Sequence, residues 1–195
     1  MSCCGNSGDD VSGISDSSVV NSILSGNVSR KFTSKIVLIG ESSVGKSSLL
    51  IRMIHDTFQE NGCVATVGLG YETIPLGPNG HKLQFWDTAG QEAYNAIVPA
   101  FMRNSSVIVV VFSVVDLASY HKVSMWIQLA KESSPNASLI LVGNKIDCVD
   151  NSTDLIEDAA VEADYSKYTY VKTSARSGKG TELLLEEIKF LADST

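Results

Sequence analysis

The apolar positions of this chain fall in short runs separated by amphipathic stretches and polar turns. "KIVLIG" (35–40) is a compact apolar run of strand type. "GKSSLLIRMIHD" (45–56) places Leu49, Leu50, Met53 and Ile54 at helical spacing. "YETIPLGPNGHKLQFW" (71–86) reads as two strands around a Gly-Pro-Asn-Gly turn. "SVIVVVFSV" (106–114) is apolar at successive positions, as a strand covered on both faces must be. "SYHKVSMWIQLAKES" (119–133) predicts one amphipathic helix, and "ASLILVGN" (137–144) another buried strand. "DLIEDAAVEAD" (154–164) predicts a helix, "YTYVKTS" (168–174) a strand, and "TELLLEEIKFLAD" (181–193) a closing helix with Thr181 as its N-cap.

Strands that alternate with helices imply βαβ units. The expected fold class is α/β: a six-stranded, mostly parallel sheet with one antiparallel edge strand and helices on both faces. In such sheets ligands bind beyond the carboxyl ends of the strands. Those ends fall after Ile39, Trp86, Val142 and Lys172, and each is followed by a polar stretch containing Gly or Ser.

Residues 1–34 break the pattern. They are rich in serine and glycine and hold no sustained period, so they read as a flexible tail ahead of one domain over 35–195. Val19, Val20, Ile23 and Leu24 could share one side of a helical turn, but the stretch reads as disordered. The hydrophobic fraction of 44% is that of an ordinary globular protein. No apolar run is long enough for a membrane-spanning helix, and no secretory signal pattern opens the chain. Cys3, Cys4, Cys63 and Cys148 make no disulfide framework, which favours a reducing compartment. A net charge of −7 argues against nucleic acid as a partner, so an anionic ligand must be held by local geometry.

The strand ends carry the chemistry. "GESSVGKSS" (40–48) fits G-x-x-x-x-G-K-[ST], with Gly40, Gly45, Lys46 and Ser47 between a strand and a helix. The glycines let the backbone turn N–H groups toward a phosphate, and the helix adds its positive end. Lys46 can reach β- and γ-phosphates, and the Ser47 hydroxyl can bind Mg²⁺. "WDTAGQE" (86–92) places Asp87 to hold the metal, commonly through water, and the Gly90 amide to meet a γ-phosphate. Gln91 can orient the attacking water; glutamine is too weak a base to take the proton itself.

"GNKID" (143–147) and "TSAR" (173–176) follow the next two strands. Asp147 can accept from N1–H and the N2 amine of guanine, a donor pair adenine lacks. Asn144 would brace the loop and touch N7, and the Lys145 stem would cover one face of the base. The Ala175 amide can donate to O6, with Ser174 supporting Asp147. In the polar stretch 55–71, Thr66 is the residue chosen to join Mg²⁺ and the γ-phosphate, with Thr57 and Thr73 as the other threonines in reach.

In this order the motifs resemble the Ras superfamily of small GTPases over Lys35–Ala192, and the Rab family most. "KLQFWDTAGQE" and "ATVG" (65–68) carry the Rab likeness, and the span from Asp147 to Ser174 leaves no room for the extra helix of Rho proteins. The resemblance implies a P-loop G domain that binds GTP or GDP with Mg²⁺. It carries nucleotide contacts to Ser42, Ser43, Val44, Gly45, Lys46, Ser47, Ser48, Thr66, Gly90, Asn144, Lys145, Asp147, Ser174, Ala175 and Arg176. Lys46, Thr66 and Gln91 would serve catalysis, and Ser47, Thr66 and Asp87 the metal. Tyr71, Trp86 and Phe101 match the aromatic positions through which Rabs meet effectors. The implied activity is GTP hydrolysis, slow without a GAP, in a vesicle-traffic switch read by exchange factors, GAPs and effectors at the loops near Thr66 and Gln91.

The chain departs from the Rab pattern at several positions. Ala93 stands where Arg is usual, Gly70 and Ser113 where acidic residues are common, "FMRNSS" where tyrosine-arginine-glycine is usual, and "SAR" where "SAK" is commoner. None removes a phosphate, metal or base contact. The sequence ends "FLADST" without the prenylated cysteines typical of Rabs. Ser2 rather than Gly follows the initiator Met, which excludes myristoylation there. Two readings stay open: acylation at Cys3 and Cys4, giving a peripheral protein on the cytosolic face of endomembranes, or unmodified thiols in a chain cut before its natural tail. A guanine-nucleotide scaffold with little hydrolysis is the alternative function; a P-loop ATPase or kinase is disfavoured by Asp147 and Ala175.

Overall fold

The computed structural model describes residues 32–60, 69–78, 80–88, 98–149, 156 and 158–194. All lie in the compact unit that runs from Lys31 to Thr195. The six strands are β1 (Thr33–Ile39), β2 (Leu69–Leu76), β3 (His81–Thr88), β4 (Val107–Ser113), β5 (Ser138–Asn144) and β6 (Thr169–Lys172). The helices are α1 (Lys46–His55), α2 (Val98–Met102), α3 (Leu117–His121), α4 (Val123–Ser133), α5 (Asp158–Tyr165) and α6 (Thr181–Asp193), with a 3₁₀ turn at Ile146–Cys148. The strands form one sheet in the order β2-β3-β1-β4-β5-β6. Only β2 runs antiparallel to its neighbour; the other pairs are parallel. The expected fold class is the observed one.

β4 shows why the sheet is a middle layer. Every one of its residues is buried. Val107, Val109 and Val111 point into a core shared with Leu49 and Leu50 of α1 and Leu184 and Ile188 of α6. Ile108, Val110 and Phe112 point into a second core with Tyr120 of α3 and Val123, Trp126 and Ile127 of α4. Alternation along a strand sends successive side chains to opposite faces, so a strand with helices on both sides must be apolar throughout. Because β1, β3, β4, β5 and β6 are parallel, their carboxyl ends share one edge. No helix among the described residues is long and apolar enough to cross a membrane.

Four boundaries differ from the sequence pattern. β1 starts at Thr33, upstream of the apolar run, because Thr33 and Ser34 pair with Lys82 and Leu83. The helix expected over 119–133 is two helices that meet at Lys122. Its start moves back because Asp116 caps α3, accepting from the Ala118 and Ser119 amides at 3.1 and 3.3 Å; periodicity does not register a cap. The expected helix 154–164 is observed only from Asp158, and Ile156 lies outside it, donating its N–H to the Val114 carbonyl at 3.1 Å. Thr181 is not the N-cap of α6. Gly180, left-handed at φ 76°, holds that position, and the Thr181 hydroxyl donates instead to the Gly178 carbonyl at 2.8 Å. The serine- and glycine-rich segment lies outside the described residues up to Lys31.

Gly40 is the sharpest backbone constraint at the site edge. Its φ is 139°, and an added Cβ would overlap the Val111 carbonyl oxygen on β4. The left-handed region alone costs an L-residue about 1–2 kcal/mol. Gly40→Ala is therefore expected to destabilise the domain by more than about 2 kcal/mol, because the clash is with backbone that cannot rotate away. Chemical denaturation of both proteins checks this; a loss below about 1 kcal/mol would contradict it.

Candidate functional site

The loop from Gly40 to Gly45 joins β1 to α1. Ser43 is left-handed at φ 62° and Gly45 at φ 96°. Space at Gly45 is closed as well: a Cβ there would lie 2.6 Å from Asn144 Nδ2. That same Nδ2 donates to the Val44 carbonyl at 2.9 Å, so the end of β5 holds the loop in shape. Ser42 and Ser43 are exposed at the crest of the loop, while Val44 is buried beneath it. α1 then begins at Lys46 with no side-chain cap, leaving its first-turn amides without intrahelical partners. Such a helix start after a glycine-rich turn is an anion cradle.

Lys46 lies inside this cradle, 5% exposed. Its Nζ donates to the Gly40 and Glu41 carbonyls at 2.8 and 2.7 Å. Burial pushes its pKa down to about 8, and the Asp87 and Glu41 carboxylates only partly oppose that shift. A phosphate against Nζ would add negative charge beside it and raise that pKa again. Next to it, the Ser47 hydroxyl donates to Asp87 Oδ2 across 40 positions of sequence. Asp87 is 5% exposed at the end of β3, and Thr88 is fixed beside it by its bond to the Leu38 carbonyl at 2.7 Å.

The base-reading residues gather one strand further on. Asn144 is 1% exposed. Its Oδ1 accepts from Thr173 Oγ1 at 3.1 Å and from the Ala175 amide at 3.2 Å. With the Nδ2 bond to Val44, this one side chain ties three segments together. Lys145 is left-handed at φ 69°, which turns the chain into the 3₁₀ turn and leaves Asp147 exposed at the edge. Asp147 Oδ1 accepts from Ser174 Oγ at 2.6 Å, the support expected for it. Ala175 is buried and Arg176 exposed. In this structure the Ala175 amide is turned to Asn144, not outward.

Thr66, Gly90 and Gln91 lie outside the described residues. The three aromatic positions do meet. Tyr71 and Trp86 meet at 5.8 Å between ring centres with their planes tilted by 30°, and Trp86 and Phe101 stack at 6.3 Å. Tyr71 is 63% exposed, whereas Trp86 packs against the core. Lys35 Nζ sits 5.2 Å from the Trp86 ring.

Three contributors escaped the sequence reading. Trp126 Nε1 on α4 donates to Glu41 Oε1 at 3.0 Å, anchoring the phosphate loop from a helix that the pattern assigned to the core. Thr173 braces Asn144. Arg52 on α1 bonds the carbonyls of Ala175 and Arg176. Periodicity carries no signal for such pairs.

The residues present fit a nucleoside phosphate and its divalent ion. Lys46 is a buried cation at the loop, and α1 begins directly behind it with its positive end toward the same place. No described group of three or more His, Cys, Asp or Glu could hold a metal unaided. One hydroxyl and one carboxylate, Ser47 and Asp87, suit Mg²⁺, which takes few protein ligands and fills its shell with phosphate and water. When bound, that ion neutralises charge developing on the phosphates.

A sheet of this order with a phosphate loop after its first strand defines a Ras-like P-loop GTPase domain. The family model described as the Ras family matches residues 35–191, and the chain belongs to that family. It is thus a small GTPase switch of the kind that binds GTP or GDP with Mg²⁺ and meets exchange factors, GAPs and effectors.

The Ser47 hydroxyl faces the carboxylate that would share the ion. Ser47→Asn is expected to weaken Mg²⁺·GTP binding by about 1–3 kcal/mol more than GDP binding. Paired titrations with the two nucleotides check this, and an equal loss for both would contradict it.

Proposed function

We propose that the protein is a Rab-like GTPase that controls intracellular vesicle traffic, hydrolysing GTP slowly until a GAP acts. The observation that carries this reading is the aromatic stack of Tyr71, Trp86 and Phe101, with Tyr71 exposed at its outer end. The stack spans β2, β3 and α2, elements that adjoin in sequence the segments holding Thr66 and Gln91. A partner resting on it would sense both loops at once.

Within this reading Lys46 offsets phosphate charge, Gln91 orients the attacking water, and Thr66 joins Ser47 and Asp87 around the ion. Gly90 meets the γ-phosphate, so hydrolysis releases the loops that carry Thr66 and Gln91. The segment between His55 and Thr66 offers no arginine in cis. A GAP that supplies the missing groups would accelerate turnover by up to about 10⁵-fold. Membrane attachment would come from acylation at Cys3 and Cys4, two chains being enough for stable anchoring.

Full-length protein tagged for fluorescence tests the reading in cells. Gln91→Leu is expected to keep nucleotide, lose hydrolysis and concentrate on one class of vesicle membrane, while Ser47→Asn spreads through the cytosol. The same distribution for both variants would defeat the trafficking role. Palmitate labelling tests the anchor separately: it should vanish in a Cys3→Ser, Cys4→Ser double variant.

A further inference from the structure

We propose that Arg52 is a positioning residue for guanine recognition, cross-linking the last turns of α1 to the turn that reads the base. The inference rests on the guanine-nucleotide reading of the site and extends it to a residue 123 positions from the base turn in sequence.

Arg52 sits near the end of α1 with its side chain only 15% exposed. Its Nε donates to the Ala175 carbonyl at 2.8 Å, and Nη2 donates to the Arg176 carbonyl at 2.8 Å. Nη1 donates to the Asp56 carbonyl at 2.9 Å and to Asp56 Oδ1 at 3.0 Å. The guanidinium thus uses its planar fork on two separate stretches of chain. A lysine could not do so, because its single ammonium is a point donor.

The turn it grips is the one that presents Ala175. Within it the Ser177 amide donates to Ser174 Oγ at 2.9 Å and the Lys179 amide to Ser177 Oγ at 3.4 Å. The Ser174 amide donates to the Lys179 carbonyl, and the Gly178 amide to the Ser174 carbonyl, each at 2.9 Å. On the inner side Asn144 and Asp147 hold Ala175 and Ser174. On the outer side the grip is Arg52, whose Cδ lies 3.8 Å from where a Gly178 Cβ would be. Without the fork, the Ala175 and Arg176 carbonyls lose a charged donor and the turn loses its tie to α1.

The consequence is geometric. The first turn of α1 carries Lys46 and Ser47, and its later turns carry Arg52. One ten-residue helix therefore spans the phosphate end and the base end of the site. Asn144 forms one strut between these ends, from Val44 to Ala175. Arg52 forms a second, bonding the Ala175 carbonyl where Asn144 bonds its amide. Two struts fix the spacing between cradle and base turn. A guanine nucleotide must match that spacing at both ends.

The test uses full-length protein loaded with a fluorescent GDP analogue, comparing wild type with Arg52→Gln and Arg52→Lys. Dissociation from Arg52→Gln is expected to be roughly tenfold to hundredfold faster, with a smaller rise for Arg52→Lys. Competition then separates positioning from general loosening. Preference for GDP over 6-thioguanosine diphosphate reads the contact at position 6, which the Ala175 amide would make on turning from Asn144 Oδ1 toward the base. It should shrink toward unity in the Arg52 variants. Preference for GDP over GMP reads the phosphate cradle and should hold within about twofold, since the cradle keeps its own bonds. If Arg52→Gln fails to fold, Arg52→Lys carries the same two ratios. Unchanged dissociation, or faster dissociation with both preferences falling in parallel, overturns the proposal. Wild-type protein that takes up no GDP defeats the nucleotide reading itself, and that result is distinct from either.

Discussion

Asp147→Asn is expected to lower affinity for GDP by about 10⁴-fold and to raise affinity for xanthosine diphosphate. Sites built to hydrogen-bond a substrate reject a mismatched group by a factor of that order. Asp147 stands exposed at the edge of the base site, and Ser174 Oγ holds its Oδ1 at 2.6 Å. The carboxylate is therefore oriented before the base arrives. Its two acceptors match N1–H and the N2 amine of guanine. Asparagine offers one acceptor and one donor, which match N1–H and the O2 of xanthine. Competition titrations with both diphosphates check the swap; GDP affinity within tenfold of wild type would mean the base is read elsewhere.

Asn144→Ala is expected to act on stability as strongly as on binding. The side chain is almost fully buried, and its bonds run to Val44, Thr173 and Ala175. Truncation strands a carbonyl, a hydroxyl and an amide in the interior, at about 1–3 kcal/mol for each buried group left unpaired. The sum, roughly 3–9 kcal/mol, is a large share of the about 5–15 kcal/mol that holds a typical domain. The melting temperature should fall by about 10–20 °C for a chain of this length. Excess GDP should recover only part of the loss, because the cradle loses its brace along with the fold. Calorimetry with and without GDP checks both statements, and a drop below about 3 °C would show that the pocket relaxes around the missing amide.

The nucleotide site was legible in sequence to the extent that its chemistry is local. Gly40, Gly45, Lys46 and Ser47 lie within one turn and the first residues of one helix, so their spacing alone reports a cradle. Asn144, Lys145 and Asp147 report a base site for the same reason. The rest is tertiary. Trp126 reaches Glu41 across 85 positions, and Arg52 reaches Ala175 across 123. Trp126 also packs in the core, so its periodicity reports the ring but carries no signal for the indole N–H. The helix boundaries tell a similar story. Asp116 moved one start by capping it, and Gly180 displaced Thr181 because the approach to α6 needs a left-handed residue. Alternating hydrophobicity fixes which face of a strand is inside, but it does not say which side chain closes a helix end.

Fit of the site to a guanine nucleotide is the claim on which the other assignments depend. Protein purified in magnesium buffer, denatured and analysed by chromatography, tests it directly. The account predicts close to one molar equivalent of GDP or GTP per chain, exchangeable for added GDP and not displaced by ATP. Material that carries no guanine nucleotide, and takes none up when titrated with GDP, would contradict it.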